Sequence, residues 1–239
     1  GIGRYMFNSV LQGATDTGSS FVVFGHTSAF ASTINLSTLD GTTGFRLDGV
    51  SANDTAGRFV HTAGDVNGDG FDDLILSALT DIHGTDSGSA YVVFGKASGF
   101  AAAINLSTLS GSNGFRLDGV AAGETESRAV SSAGDINGDG YADLIVGANL
   151  ADNTATDAGT AYLLFGRGDG FASTIELSTL SGNNGFRLDG SASNDRVGCS
   201  VGPAGDVNGD GLDDLIISAR YADPNSLSNA GAAYVLFGH

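Results

Sequence analysis

The stretch DVNGDGFDDL at residues 65–74 places oxygen-bearing side chains at alternate positions: Asp65, Asn67, Asp69 and, after one gap, Asp73. The pattern returns as Asp135, Asn137, Asp139 and Asp143, and again as Asp206, Asn208, Asp210 and Asp214. Counted from the first Asp, the oxygens fall at positions 1, 3, 5 and 9. Position 7 is Phe71, Tyr141 or Leu212, a variation expected of a residue that contributes only its backbone carbonyl. Position 6 is always glycine (Gly70, Gly140, Gly211), as a sharp turn around an ion requires, and position 4 is glycine too (Gly68, Gly138, Gly209). Carboxylates gathered this closely repel one another, and some protonate, unless a cation lies among them. Hard oxygen donors without His or Cys select Ca²⁺ over zinc or copper, and a flexible loop offering six or seven oxygens prefers it to octahedral Mg²⁺. Three Ca²⁺ sites are expected, each loose when empty and tight when filled.

The residues after each loop separate it from other acidic loops. An EF-hand needs Glu at position 12 and helices on both sides. Here position 12 is Leu76, Val146 or Ile217, inside the apolar runs LILSA, LIVGA and LIISA. A dockerin-type loop also leads into a helix, and these runs do not read as helices. The loops therefore sit between strands.

Those strands recur in register. FVVFG, YVVFG, YLLFG and YVLFG start at residues 21, 91, 162 and 234, which are intervals of 70, 71 and 72 residues. GFRLDG occupies 44–49, 114–119 and 185–190, and INLSTL at 34–39 and 104–109 returns as IELSTL at 175–180. One unit of about 70 residues thus runs through the chain. In the second copy, strands are predicted near Phe59–Ala63, at Leu74–Ala78, at Ala90–Phe94 and around Phe115–Leu117. The second is apolar throughout, as for a strand buried on both faces. The FRLDG alternation sets Phe and Leu against Arg and Asp, as on a half-solvated outer strand.

Four antiparallel strands, repeated, predict an all-β fold: a β-propeller with about four blades in a single domain over 1–239. The repeats run approximately 1–49, 50–119, 120–190 and 191–239, with the first and last incomplete, giving about three, four, four and three strands. A linear stack of hairpins and tandem sandwiches are the competing architectures. The opening GRYMF (3–7) reads either as part of a second strand or as a first strand lacking its loop.

The bulk composition agrees. The chain has 239 residues, 41% of them apolar, with 38 Gly, 2 Pro and no Trp, a mix that favours short strands and many turns. A net charge of −17 excludes nucleic acid and anionic membrane surfaces as expected partners. Three divalent ions, at two charges each, would bring that −17 to −11. Cys199 is the only cysteine and reads as a small core residue. No apolar run approaches the roughly 18 residues of a membrane-spanning helix. Absence of an initiator Met suits a processed chain.

Asp-x-Asn-x-Asp-Gly-x-x-Asp-Leu-Ile within a unit that also carries Tyr-Val-Val-Phe-Gly resembles the FG-GAP repeat, the unit of the integrin α-subunit propeller and of many bacterial surface proteins. The resemblance covers residues 20–239. It implies blades of a propeller that is usually seven-bladed, with Ca²⁺ in the hairpin between the first and second strands of a blade. The fifteen loop residues named above then become the ligand set, with Phe71, Tyr141 and Leu212 acting through their carbonyls. Where the family often has Gly-Ala-Pro after the second strand, this chain has SAL (77–79), GAN (147–149) and SAR (218–220).

Other motifs carry less. GCSVG (198–202) matches the nucleophile pattern G-x-S-x-G, but Ser200 falls on a strand feeding a loop, without the strand-to-helix turn that chemistry needs. His26, His61, His83 and His239 are scattered. Asp72 and Asp213 read as solvated neighbours of the loops. Arg167-Gly168-Asp169 falls on an expected exposed turn, in one copy only. The sequons at Asn35, Asn53 and Asn105 matter only in a eukaryotic secretory route.

The expectation is a noncatalytic, Ca²⁺-stabilised module for adhesion or molecular recognition outside the cell or on its surface, with a bacterial origin favoured and a protein or glycan as ligand. A carbohydrate-binding or enzyme-associated propeller is the alternative, weakened by the absence of Trp for stacking on sugars. Neither nucleic acid nor membrane insertion is expected. Self-association through the incomplete terminal blades is.

Overall fold

The computed structural model describes the backbone of residues 6–10 and all of residues 17–78, 87–120 and 129–239. His83, Leu79 and residues 3–5 of the opening GRYMF lie outside the described residues.

Among the described residues every regular element is a strand or a single 3₁₀ turn, and the strands form four sheets. The second sheet shows the unit in full. β4 (Val60–Gly64) and β5 (Asp73–Ala78) flank the first acidic loop, β6 (Ser89–Val93) pairs antiparallel with β5, and β8 (Gly114–Asp118), the outer strand of the blade, pairs antiparallel with β6. β9 (Val130–Gly134), β10 (Asp143–Ala148), β11 (Thr160–Leu164) and β13 (Gly185–Asp189) repeat this order. The last sheet holds β14 (Val197–Gly205), β15 (Asp214–Ala219) and β16 (Ala232–Leu236). In the first, β1 (Met6–Val10) pairs with β2 (Ser19–Val23), which pairs with β3 (Gly44–Asp48). These are propeller blades of four strands, with three blade strands described in the first and last; the first and second sheets each gain one short strand from the next blade.

The register settles how the opening reads. Met6 pairs with Val23 and Val10 with Ser19, just as Leu74 pairs with Val93 and Ala78 with Ser89. Met6–Val10 is thus a second strand, not a first strand shorn of its loop.

Alternation within a strand divides each blade into two apolar faces. Leu74, Leu76, Tyr91 and Val93 point back and pack with Val22, Phe45 and Leu47 of the first blade. Ile75, Val92, Phe115 and Leu117 point forward and pack with Leu144, Val146, Tyr162 and Leu164 of the third. Ile145 and Leu163 in turn meet Leu215 and Ile217 of the fourth. The central strands are apolar throughout because both faces are covered by neighbouring blades. The core is therefore a series of blade junctions.

Two short strands were not expected. β7 (Ala103–Asn105) and β12 (Thr174–Glu176), from the INLSTL and IELSTL segments, pair in parallel with the outer strand of the preceding blade. Ile104 lies opposite Leu47, and Ile175 opposite Leu117. Each belongs to a long arm between the third and fourth strands of its own blade. The arm also lays Phe100 on Phe45 (ring centroids 4.5 Å, 5° apart) and Phe171 on Phe115 (4.4 Å, 12°). Outer strands are thereby clasped by the next blade. On their other side Arg and Asp pair along the strand, at 2.7 Å for Arg46–Asp48, 2.6 Å for Arg116–Asp118 and 3.0 Å for Arg187–Asp189.

Candidate functional site

All three acidic loops connect the first two strands of a blade, β4–β5, β9–β10 and β14–β15, so the fold brings them to one edge of the blade array. Within a loop the side chains hold the backbone in a tight coil. Asp135 accepts the N–H groups of Asp139 (3.0 Å) and Gly140 (2.9 Å), Asn137 that of Asp139 (3.0 Å), and Asp139 that of Tyr141 (2.9 Å). Asp65, Asn67 and Asp69 make the same bonds, as do Asp206, Asn208 and Asp210. The turn at position 6 has φ of 88°, 90° and 92° at Gly70, Gly140 and Gly211, where any other residue would be strained. Asp69, Asp139 and Asp210 are exposed.

The position-9 carboxylates do something the sequence did not announce. Asp73 is buried and accepts two backbone N–H groups, from Val66 in the loop (3.0 Å) and Gly95 beyond the third strand (2.8 Å). Asp143 does the same with Ile136 (3.0 Å) and Gly166 (2.9 Å), and Asp214 with Val207 (2.7 Å) and Gly238 (3.0 Å). Each carboxylate braces the loop against the end of the third strand. Burial pushes Asp73 up to about 7 against those two hydrogen bonds, helped by repulsion from Asp69 and Asp65. Asp143 is raised to about 7 for the same reasons, burial first, with Asp139 and Asp135 adding repulsion.

Neighbouring loops interlock. The Ala142 N–H donates to the Asp65 carbonyl (3.0 Å), and Arg167 N–H to the Val66 carbonyl (2.9 Å). One blade on, Asp213 N–H donates to Asp135 O (3.4 Å) and His239 N–H to Ile136 O (3.0 Å). The position-7 side chain leans across the preceding loop: a Cβ on Gly68 would come within 2.4 Å of the Tyr141 ring, and one on Gly138 within 2.8 Å of Leu212. The position-4 glycines thus make room for the next blade. Asp213 is more than a solvated neighbour, because its carboxylate accepts the Asp135 N–H at 3.0 Å and ties the second loop to the third.

Among the described residues, no group of three or more His, Cys, Asp or Glu side chains is arranged to enclose a metal. The carboxylates at positions 1 and 5 and the carboxamide at position 3 are turned inward onto loop N–H groups. Their donor set still fits a hard cation: every side-chain donor is oxygen, each oxygen has a second lone pair, and mutual repulsion is already felt at Asp73 and Asp143.

The remaining motifs are accounted for structurally. Ser200 lies on β14 and its N–H donates to Ser218 Oγ (2.9 Å). Arg167 turns back on its own tripeptide, donating from Nε to Gly170 O (2.9 Å), pairing with Asp169 (3.4 Å) and covering the Phe171 ring at 4.7 Å. Cys199 is half-buried and free. No helix among the described residues is long and apolar enough to cross a membrane.

Four-stranded blades, clasped outer strand to arm and joined by acidic hairpins, define a β-propeller array. The FG-GAP repeat family matches residues 56–93, 128–164 and 200–236, each span running from the loop's first strand to the third strand of the blade. The chain is an FG-GAP repeat protein. It is 36% identical over 111 residues to phosphatidylinositol-glycan-specific phospholipase D of Bos taurus, covering 46% of this chain and 13% of that protein. It is 37% identical over 97 residues to integrin alpha-IIb of Mus musculus (38% and 8%) and 30% identical over 110 residues to integrin alpha-4 of Xenopus laevis (46% and 9%). The chain thus spans only a small part of each relative's length.

Proposed function

We propose that this chain is a Ca²⁺-binding propeller module that serves adhesion or molecular recognition outside the cell or at its surface, without catalysing a reaction itself. The observation that carries this reading is the threefold recurrence, in one structural register, of an all-oxygen loop at the junction between blades. Likeness to segments of two integrin alpha subunits supports recognition at a cell surface.

Asp65, Asn67 and Asp69, with the Phe71 carbonyl and Asp73, would hold the first ion. Asp135, Asn137, Asp139, the Tyr141 carbonyl and Asp143 would hold the second. Asp206, Asn208, Asp210, the Leu212 carbonyl and Asp214 would hold the third. Bound Ca²⁺ supplies a fixed double positive charge that offsets carboxylate repulsion. The loop residues orient the two flanking strands, and Asp73, Asp143 and Asp214 carry that order to the third strand through the N–H groups of Gly95, Gly166 and Gly238. Because the unfolded chain has no such site, ion binding adds to folding stability. The test is thermal unfolding in CaCl₂ and in chelator: a reversible rise in Tm with calcium supports the reading, and identical melts would overturn it.

A second reading, a propeller attached to a hydrolytic enzyme, is favoured by the segment shared with phospholipase D. Turnover of a phosphodiester substrate by this chain alone would replace the noncatalytic reading.

A further inference from the structure

The first and second acidic loops are alike bond for bond and differ in one polar contact. Asp65 and Asp135 accept the equivalent pair of loop N–H groups, Asn67 and Asn137 the equivalent one, and Asp73 and Asp143 brace the equivalent two. Each loop is also met by the residue at position 8 of the next blade. For the first loop that residue is Ala142, which donates its N–H to the Asp65 carbonyl (3.0 Å) and has only a methyl group to add. For the second it is Asp213, which donates its N–H to the Asp135 carbonyl (3.4 Å) and also accepts the Asp135 N–H on Oδ2 (3.0 Å). The position-1 residue of the second loop is therefore held on both sides from the next blade.

The fold seats this carboxylate closely. Gly134, at φ 75°, lies directly against it, and a Cβ there would collide with the Asp213 side chain. The residues on either side of Asp213 are fixed too. Leu212 lies over Gly138, and Asp214 accepts the N–H groups of Val207 and Gly238. Asp213 is half-buried, so water screens its charge only in part. The affinity of an all-oxygen loop for a hard cation rises with the negative charge around it and with its rigidity. Asp213 adds to both at the second loop, and Ala142 adds charge to neither the first loop nor its surroundings.

We propose, on the calcium-binding reading above, that Asp213 is a positioning residue supplied across the blade junction, and that it makes the second loop bind a divalent cation more tightly than the first. It acts by holding Asp135 in place and by its charge, without being a ligand itself.

Two backgrounds isolate one loop each. Asp69→Ala with Asp210→Ala leaves the second loop intact, and Asp139→Ala with Asp210→Ala leaves the first. Melts in chelator check that every variant folds, and calorimetric titration with CaCl₂ then reads the remaining site. The second loop is expected to bind on the order of tenfold more tightly, the worth of one charge-assisted hydrogen bond. Asp213→Ala in the second-loop background is expected to remove that advantage. Asp213→Asn, which keeps an acceptor for the Asp135 N–H without the charge, is expected to fall between. Ala142→Asp in the first-loop background is expected to confer the advantage there. A merely structural Asp213 would lower the melt in chelator and leave calcium affinity untouched. Equal affinities in the two backgrounds, an Asp213→Ala site as tight as its parent, or no gain from Ala142→Asp would overturn this proposal while calcium binding itself stands. Absence of calcium binding in both folded backgrounds would overturn the calcium reading along with it.

Discussion

Removing the Asp143 side chain separates its bracing role from any role in holding an ion. Asp143→Ala strips the acceptor from two buried N–H groups, those of Ile136 and Gly166, at 3.0 and 2.9 Å. An orphaned buried N–H costs about 1–3 kcal/mol, so two cost about 2–6 kcal/mol. Burial opposes the charged carboxylate itself, and relief of that penalty places the expected loss in the lower half of that range, about 3 kcal/mol. For a chain of this size that corresponds to a fall in Tm of about 6–12 °C. Asp143→Asn keeps one acceptor and should lose about half as much. Asp214→Ala should cost less than Asp143→Ala, because its partner Val207 is 61% exposed and water can replace the lost acceptor there. The assay is thermal and urea unfolding of wild type and the three variants, run entirely in chelator. If Asp143→Ala melts like wild type in chelator and falls behind only when calcium is added, the side chain is a ligand and no brace, and the reasoning fails.

Other expectations rest on the same geometry. Gly140→Ala puts a Cβ at φ 90° with no clashing neighbour, so it should cost about 1 kcal/mol in chemical denaturation, against a much larger loss for Gly68→Ala, which would drive a Cβ into the Tyr141 ring. Phe171→Ala, which removes the ring stacked on Phe115, should cost about 3–5 kcal/mol in urea unfolding. Arg116→Met should destabilise by about 3–5 kcal/mol because it leaves the Asp118 carboxylate buried beside an apolar chain, whereas Arg187→Met, at a more exposed pair, should cost under about 1 kcal/mol.

Much of this architecture was readable because it repeats. Apolar runs such as Leu74–Ala78 had to be central strands, and GFRLDG had to be an outer one, so blade order came from spacing. β7 and β12 were not readable. Three residues of INL or IEL carry no periodicity, and they become strands only by pairing with an outer strand in the preceding blade, far away in sequence. The loops were legible as acidic hairpins, yet the sequence could not show which oxygens face inward. Asp73 and Asp143 read as ligands alike with Asp65 and Asp135, while the fold buries them against the third strand, whose position no loop motif encodes. Gly68 likewise stood in the sequence only as a recurring position-4 glycine. Its lack of a side chain is also demanded by Tyr141, which arrives from the next repeat.

The central claim is that the three acidic hairpins each hold a calcium ion. Equilibrium dialysis against radiolabelled calcium at millimolar concentration measures this directly: the account predicts three ions per wild-type chain and two for Asp139→Ala. No bound calcium, or a stoichiometry that Asp139→Ala leaves unchanged, would contradict it.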